Sequence, residues 1–309
     1  MMHDISLIVA TKDRPDDLRK LLESLRHQTA RPSEIVVVDA SLEPVESVLA
    51  EFPELTTHYF RHWPPSAAAQ RNAGIRACGD AATLIGFADD DTTFEPQAFA
   101  NMLAFWSNAS PDLLGAAFNI RNYPPRRNGS LKYSSLTKRL GLYSPRPGSV
   151  SPSGWQTIIG ELPEAQFVDW LPSTAVVFRR EVFDHDVFDE FFDAYSYLED
   201  LDFGYTLSRI GRLAVVANAG FRHFPSTSGR VSARTFGRYE VRNRLYFVRK
   251  HCLSLSRCYL GLGIRLVMSV GSGLAHWNAS LLMRAVGNLE ELLRQSITPL
   301  TKAPPAPTR

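Results

Sequence analysis

The chain has 309 residues, of which 44% are hydrophobic and 21% are charged, and its formal net charge is +2. Such a composition can bury a large core and excludes broad disorder, and the small charge gives no argument for nucleic acid as a partner. The cysteines Cys78, Cys252 and Cys258 contain no CxxC pair. They therefore predict neither a zinc site nor a disulfide framework, and they fit a reducing compartment.

Apolar runs of strand length alternate with helical patterns through the first half of the chain. The runs that predict strands are "ISLIVA" (5–10), "EIVVVD" (34–39) and "TLIGFA" (83–88). No basic segment precedes "ISLIVA", so we expect a first strand there and not a signal peptide. Strands with two apolar faces between helices predict an α/β fold with a mostly parallel, Rossmann-like sheet sandwiched by helices.

The pattern changes after residue 121. Residues 122–165 are rich in Pro, Gly, Ser and Arg, so we expect a segment without fixed packing that closes over bound ligands as a lid. Residues 1–228 are predicted to form one catalytic α/β domain and residues 229–298 a basic helical region. The Pro-rich residues 299–309 are predicted to be a disordered tail.

Three consecutive carboxylates, Asp89, Asp90 and Asp91, end the third of these strands. Ligands of open parallel sheets bind at the carboxyl ends of the strands. The chain has no GxGxxG after its first strand and no GxxxxGK[ST] anywhere, so a bound nucleotide would need another device for its phosphates. Mg²⁺ or Mn²⁺ on carboxylates is such a device. A turn with surface acids is the other interpretation of the triplet alone.

Several motifs follow one another in an order that resembles the family-2 glycosyltransferases, enzymes with the A-type nucleotide-sugar transferase fold. The motifs are "SLIVATKDRPDDLRKLLESLRHQT", "EIVVVDAS", "AAAQRNAGI", "FADDDT", "LEDLDFGYTLSRIG" and "RYEVRNRLYFVRKH", roughly residues 5 to 251. The resemblance implies a metal-dependent, inverting transfer of a sugar from a nucleoside-diphosphate sugar, with UDP and dTDP donors equally compatible. The sugar would pass to a hydroxyl of a glycan or lipid-linked acceptor.

The resemblance also implies a donor site, formed by Thr11, Asp13, Asp39, Arg71, Asn72, Asp89 and Asp90. Within this set Asp39 would contact the uracil or thymine base, and Thr11 and Asp13 would line the base pocket. The alternatives are a turn cap for Asp39, a helix start at Thr11 and Asp13, and solvent exposure for Arg71 and Asn72.

For the metal, the resemblance implies Asp89 and Asp91 as ligands, and His223 as a residue that completes the site. A lone histidine is otherwise more often structural. The segment "WLPSTAVVF" departs from the family, since many members have a Ser-Gly-Ala-like turn near the sugar. Trp170 in this segment would stack on a sugar face, with a buried structural tryptophan as the alternative.

A second carboxylate cluster, Glu199, Asp200 and Asp202, precedes an apolar helical stripe. Acids at the start of a helix are common and favourable without any further function. The functional interpretation is a general base, which a sugar hydroxyl needs before it attacks. The resemblance implies Asp200 as the base, Glu199 as a residue that orients the base or the acceptor, and Asp202 as an acceptor contact.

Two other classes of protein remain open. A metal-dependent sugar nucleotidyltransferase could use the same sheet and carboxylates, but it usually carries a glycine-rich basic loop after its first strand. "TKDRPDD" has no glycine and three acids. A non-catalytic carbohydrate-binding or scaffold protein is the other class, and carboxylates at both the metal and the base positions argue against it.

The C-terminal region carries a segregated positive charge. Between residues 230 and 265 one acid, Glu240, stands against nine basic residues: Arg230, Arg234, Arg238, Arg242, Arg244, Arg249, Lys250, Arg257 and Arg265. Four of these arginines, Arg234, Arg238, Arg242 and Arg249, share helical spacing and predict a basic face that attracts anionic lipid. The next segment, "CYLGLGIRLVMSVGSGLAHWNASLLM", is apolar but interrupted, so it predicts an amphipathic helix that lies on the bilayer with Trp277 and Tyr259 at the interface. We therefore expect a cytoplasmic protein that is peripheral on the inner face of the cell membrane. The alternative is a helix packed on the core beneath a solvated basic face.

Overall fold

The computed structural model describes residues 3–123, 135–185, 187–193, 196–226 and 231–297. The chain divides into two compact units. The first lies within residues 1–126 and 158–229, and the second within residues 127–157 and 230–309. The sequence did not predict that residues 135–157 belong with the C-terminal helices. Arg230 and the tail at 299–309 lie outside the described residues.

Nine described strands form one sheet in the first unit. They are β1 (Ile5–Thr11), β2 (Glu34–Asp39), β3 (Thr57–Arg61), β4 (Leu84–Asp89), β5 (Thr92–Phe94), β6 (Leu113–Ile120), β7 (Gln166–Val168), β8 (Ala175–Arg179) and β9 (Arg212–His223). The helices are α1 (Pro15–Arg26), α2 (Glu46–Leu49), α3 (Ala67–Ala77), α4 (Ala98–Ser107), α5 (Ser135–Arg139), α6 (Glu199–Ser208), α7 (Ala233–Lys250), α8 (Leu255–Ala275) and α9 (Ala279–Ile297).

The strand order is β3-β2-β1-β4-β8-β6-β9-β5, and β7 pairs with β9. The first four strands in this order are parallel, as the alternation of strands and helices predicts. Beyond β4 the sheet is mixed, because β8 runs antiparallel to both β4 and β6 while β6 and β9 are parallel. The α/β fold class is therefore confirmed, and its parallel part is the N-terminal half.

Local sequence explains the helices that cover the parallel strands. In α1, Pro15 occupies the first turn and Leu18, Leu21, Leu22 and Leu25 are buried, as their spacing predicts. The Ser66 side chain caps α3 by accepting a hydrogen bond from the Ala69 amide.

The helix α3 also packs unusually closely on β1. A Cβ atom at Gly74 would collide with the Ile8 side chain, so only glycine allows this approach. Arg71 and Asn72, one turn earlier on the same helix, are thereby held at the buried side of α3.

In the second unit α7 and α9 pack through glycines. A Cβ atom at Gly237 would meet the carbonyl of Arg284, and one at Gly287 would meet the carbonyl of Arg234. The two backbones therefore approach each other more closely than larger residues would allow.

The expectation that residues 122–165 lack fixed packing is wrong for residues 142–157. Leu142 and Trp155 are buried, and the Ser151 and Ser153 hydroxyls donate hydrogen bonds to the Leu142 carbonyl at 3.0 and 2.6 Å. The serines satisfy backbone groups that a Pro- and Gly-rich segment would otherwise expose to water. Residues 124–134, the other part of the predicted lid, lie outside the described residues.

Candidate active site

The register of the sheet brings the predicted site residues to one edge. Thr11 at the end of β1 pairs with Asp39 at the end of β2, and Ala10 pairs with Asp89 at the end of β4. The carboxyl ends of three parallel strands therefore meet, as expected for a ligand site in a sheet of this kind.

Asp89, Asp91 and His223 form a group that could hold a metal ion. Each offers one ligand atom, and these atoms lie within 4.8 Å of one another. The antiparallel pairing of β5 with β9 sets Thr92 opposite His223 and so brings the histidine to the Asp triplet. His223 Nε2 lies 3.0 Å from Asp91 Oδ1, an ion-pair contact that does not have the geometry of a hydrogen bond.

The side chains of this group fit Mg²⁺ or Mn²⁺. Asp91 Oδ1 is buried and accepts no hydrogen bond, so it has a free lone pair for an ion. Burial opposes ionisation of Asp91, but His223 and the Ser226 amide, which donates to Oδ2 at 2.9 Å, hold the pKa of this carboxyl below its usual range. An ionised carboxylate pair with one imidazole is a donor set for such divalent cations.

Asp90 is not part of this group, because other side chains engage its carboxylate. Its oxygens accept hydrogen bonds from Thr11 Oγ1 at 2.8 Å and from Arg14 Nη1 at 3.0 Å, and burial raises its pKa to about 7. Arg14 Nη1 also lies 3.6 Å from Asp91 Oδ2. Arg14 is not among the residues that the sequence predicts for the site. Its place three residues after the end of β1, on the same sheet edge as the triplet, is the signal that could have found it.

Arg71 lies between the two carboxylate clusters. Its Nη2 is 3.2 Å from Asp89 Oδ1, and its Nη1 is 2.7 Å from Glu199 Oε1. The residue is only 5% exposed, so the alternative of a solvent-facing arginine is wrong. Its guanidinium connects the predicted metal site with Glu199, the neighbour of the predicted base Asp200.

Glu199 and Asp200 begin α6. Burial, followed by the charge of Asp200, raises the pKa of Glu199 to about 8. Burial also raises the pKa of Asp200 to about 6. Asp200 retains partial exposure whereas Glu199 and Asp202 are buried, so Asp200 is the carboxylate that a substrate can reach. A base with a pKa near the working pH is effective in proton transfer.

The two aspartates predicted to line the pocket for the nucleotide base accept hydrogen bonds from neighbouring groups of the protein. Asp39 is buried, and its oxygens accept hydrogen bonds from the Ser41 amide at 2.7 Å, the Val45 amide at 3.1 Å and the Tyr59 hydroxyl. Asp13 accepts from the Leu42 amide at 2.9 Å. Asp39 therefore does cap the turn after β2, and its contact with a base stays a prediction.

Asn72 anchors a neighbouring segment. Its Nδ2 donates to the Phe188 carbonyl at 2.8 Å and to Glu190 Oε1 at 2.9 Å, and its Oδ1 accepts from the Phe188 amide at 3.0 Å. The residue is buried, which rules out solvent exposure. Its polar atoms are engaged by residues 188–190, so its side chain fixes this segment to α3.

A cavity of about 120 Å³ lies beside His223. Its lining is largely apolar and includes Ile120, Trp170, Pro172 and Phe221. Trp170 is 4% exposed, so it is a buried tryptophan that also borders this cavity.

Comparisons with known proteins agree with the fold. The family model for glycosyl transferase family 2 matches residues 6–159. An uncharacterized glycosyltransferase, YwdF of Bacillus subtilis (strain 168), is 39% identical over 94 residues, which are 30% of this chain and 34% of that protein. The chain thus spans about a third of the length of this curated relative.

Solved structures share the fold at low sequence identity. The mannosyltransferase PcManGT from Pyrobaculum calidifontis, in complex with GDP-Man and Mn²⁺, is 13% identical with a TM-score of 0.58 over 96% of this chain and 88% of that one. GalNAc-T7 with UDP, GalNAc and Mn²⁺ is 15% identical with a TM-score of 0.59 over 81% and 50%. S. aureus TarS is 16% identical with a TM-score of 0.51 over 86% and 43%.

The fold is therefore that of the A-type glycosyltransferases. The chain belongs to glycosyl transferase family 2, a family of transferase enzymes.

Proposed function

We propose that the protein is a metal-dependent, inverting glycosyltransferase that moves a sugar from a nucleoside-diphosphate sugar to a hydroxyl group. One observation carries this proposal. Arg71 joins the carboxylates of Asp89, in the candidate metal group, and Glu199, beside the candidate base. Such a transfer needs a site that binds the diphosphate and a group that accepts the proton. Arg71 links the residues proposed for these two roles into one cluster.

Asp89, Asp91 and His223 would hold the metal. A bound Mg²⁺ or Mn²⁺ would stabilise the charge that develops on the departing diphosphate. The imidazole favours Mn²⁺ over Mg²⁺, which prefers an all-oxygen set. Mn²⁺ accompanies the nucleotide ligands of PcManGT and GalNAc-T7.

Asp200 would accept the proton of the attacking hydroxyl. Its partial exposure and its pKa of about 6 leave it reachable and mostly ionised at neutral pH. A single base of this kind suffices for one direct displacement, so the anomeric configuration would invert. Glu199, held by Arg71, would keep the start of α6 and hence Asp200 in position.

The donor nucleotide would be UDP or dTDP, with the base beside Asp39 and the pocket of Thr11 and Asp13. UDP and UDP-GlcNAc are the ligands of TarS structures, whereas PcManGT binds GDP-Man. The transferred sugar or the acceptor would occupy the cavity beside Trp170. Asp202, on α6, would contribute to the part of the site that binds the acceptor. The acceptor would be a glycan or a lipid-linked sugar.

The protein would act in the cytoplasm, peripherally on the inner face of the cell membrane. Its three cysteines are free, which suits a reducing compartment. A lipid-linked acceptor would require contact with a membrane surface.

The test is a donor-consumption screen with UDP-, dTDP- and GDP-sugars, each with Mn²⁺, with Mg²⁺ and with EDTA. We expect metal-dependent release of nucleoside diphosphate from at least one UDP- or dTDP-sugar, and loss of release in Asp200→Asn. Asp184→Asn, which changes an exposed aspartate, is the matched control. Release that is equal with EDTA, or unchanged in Asp200→Asn, would contradict the proposal.

A further inference from the structure

The helix α8 turns its apolar side outward. The outward residues recur at helical spacing: Leu260, Val267, Met268, Gly271 and Leu274. Val267 is 71% exposed and Leu274 is 63% exposed. The buried side is mostly small or weakly polar: Cys258, Gly261, Leu262, Ser269 and Gly273. An ordinary surface helix of a soluble domain has the reverse arrangement.

The helix α9 has the same inversion. Its buried residues are small or polar: Ala285, Gly287, Asn288, Glu291 and Gln295. Its exposed apolar residues again recur at helical spacing: Met283, Val286, Leu289, Leu293 and Ile297. We call the outward apolar residues of α8 and α9 the apolar stripes. The turn between the two helices carries Trp277, which is 95% exposed.

Ion pairs and hydrogen bonds hold the polar sides of α8 and α9 against α7. Glu240 on α7 accepts hydrogen bonds from Arg284 at 2.7 and 2.9 Å and from Asn288 at 3.1 Å, and Arg265 Nε lies 2.9 Å from it. Rotating α8 or α9 to bury the apolar stripes would break this network. The exposure of the stripes is therefore built into the packing of the second unit.

The basic face predicted for α7 is largely used within the unit. Arg234 and Arg238 both bind Glu290, with Nε to Oε2 distances of 3.1 and 2.8 Å. Arg244 is buried and donates to Gln156 Oε1 at 2.9 Å. The lipid contact predicted for the arginine face of α7 (Arg234, Arg238, Arg242 and Arg249) stays a prediction, and two of these arginines already share Glu290.

A charged groove, which includes arginines of α7, borders the stripe of α9. It is lined by Arg238, Arg242 and Arg294 together with Glu290 and Glu291. Arg294, whose side chain is 60% exposed and pairs with Glu291, directly follows Leu293 of the stripe, so this arginine lies at the margin of the uncharged apolar strip. Anionic headgroups above an acyl layer present the complementary pattern.

We propose that α8 and α9 bind an anionic bilayer through the apolar stripes, lying in the plane of the interface with Trp277 in the headgroup layer. By length and composition α8 could cross a membrane. The Glu240 network, which ties α8 and α9 to the charged helix α7, instead favours a shallow position along the surface. This inference deepens the proposed function, on which it rests for the idea of a lipid-linked acceptor.

The test is co-sedimentation of the full-length protein with vesicles of phosphatidylcholine alone and of phosphatidylcholine with about a third phosphatidylglycerol. Val267→Asp and Leu293→Asp each place one charge in a stripe. Ile210→Asp is the matched control, because Ile210 is 51% exposed on the first unit. We expect the wild type and the control to bind the anionic vesicles, and each stripe variant to bind about tenfold more weakly.

Two results would overturn the inference. One is wild-type protein that does not bind the anionic vesicles, and the other is stripe variants that bind as well as the wild type. If the wild type ignores vesicles but is a dimer that Val267→Asp dissociates, the stripes are a self-association surface and the lipid proposal fails. Donor consumption without vesicles, measured on the same variants, should be unchanged. A loss of membrane binding is therefore distinguishable from a failure of the proposed function.

Discussion

Arg71 Nη1 lies 2.7 Å from Glu199 Oε1 although 128 residues separate them in the chain. The second Nη of the same guanidinium reaches Asp89. One buried cation thus compensates carboxylates from both halves of the site. Removing it would leave the buried Glu199 and the half-buried Asp89 without their shared cation, which is unfavourable.

Arg71→Lys should therefore weaken both binding and turnover. A lysine keeps the charge but has no planar fork to contact both carboxylates. We expect kcat/KM for the donor to fall about 10²-fold, with metal-dependent binding also weaker. Arg76→Lys, at an exposed position of the same helix, is the control and should retain wild-type kinetics. Equal kinetics in the two variants would show that Arg71 does not organise the site.

Asp200→Asn should bind the donor normally and lose turnover. The side chain keeps its shape but cannot accept the proton, so we expect kcat to fall by about 10²-fold or more. Donor affinity, measured separately by calorimetry with Mn²⁺, should stay near the wild-type value. If turnover persists in Asp200→Asn but is lost in Glu199→Gln, the role of the base belongs to Glu199.

The rate of sugar transfer should depend on pH through Asp200. Burial raises its pKa to about 6, and the base works only when it is ionised. Turnover should therefore fall as the pH drops through about 6 and level off above it. This fall in turnover at low pH should be absent from the residual activity of Asp200→Asn. A wild-type kcat that changes by less than about twofold between about pH 5 and pH 7 would contradict this assignment.

Glu240→Gln should destabilise the second unit. Its carboxylate is 2% exposed and contacts Arg284 and Arg265. Removing the charge leaves two arginines facing each other, at a cost of about 3 kcal/mol. Hydrogen exchange of α7 and α9 should accelerate, whereas Glu46→Gln, at an exposed position, should leave it unchanged. Unchanged exchange in Glu240→Gln would show that the network contributes little.

The same carboxylate gives the unit a pH dependence. Burial opposes ionisation of Glu240, but Arg284 and Arg265 hold its pKa below the usual value of 4.5. A carboxyl with a depressed folded-state pKa stabilises the fold above its unfolded pKa, and this contribution is lost as the pH falls through the folded-state pKa. Below pH 4.5 the wild type should therefore lose stability more steeply than Glu240→Gln.

The sequence predicts the parts of the structure that rest on local pattern. The period of the apolar residues identifies β1, β2, β4 and α1, and the order of strands and helices predicts the parallel half of the sheet. Because parallel strand ends meet at one edge, the clustering of Thr11, Asp39 and Asp89 also follows. The resemblance also predicts that His223 joins the Asp triplet. In the structure, the pairing of β5 with β9 brings His223 to the triplet.

Long-range contacts are what the sequence could not supply. Nothing local to "AAAQRNAGI" indicates that Arg71 spans Asp89 and Glu199, because its partners lie on separate elements. Residues 142–157 were predicted to be a lid because their composition is typical of loops, whereas their serines hydrogen-bond a compact segment. The sequence predicts an amphipathic helix in the segment of α8, but it does not show that α9 also turns its apolar residues outward, because a helical stripe does not reveal whether it faces inward or outward.

Calorimetric titration of UDP, with and without Mn²⁺, tests the central claim most directly. Asp91 Oδ1 is buried without a hydrogen bond, beside Asp89 and His223. We expect wild-type protein to bind UDP in the presence of Mn²⁺ and far more weakly with EDTA, and Asp91→Ala to show the weak binding under both conditions. Asp80→Ala, which alters an exposed aspartate of the same unit, should behave as the wild type. Equal UDP affinity in Asp91→Ala and the wild type with Mn²⁺ present would contradict the account.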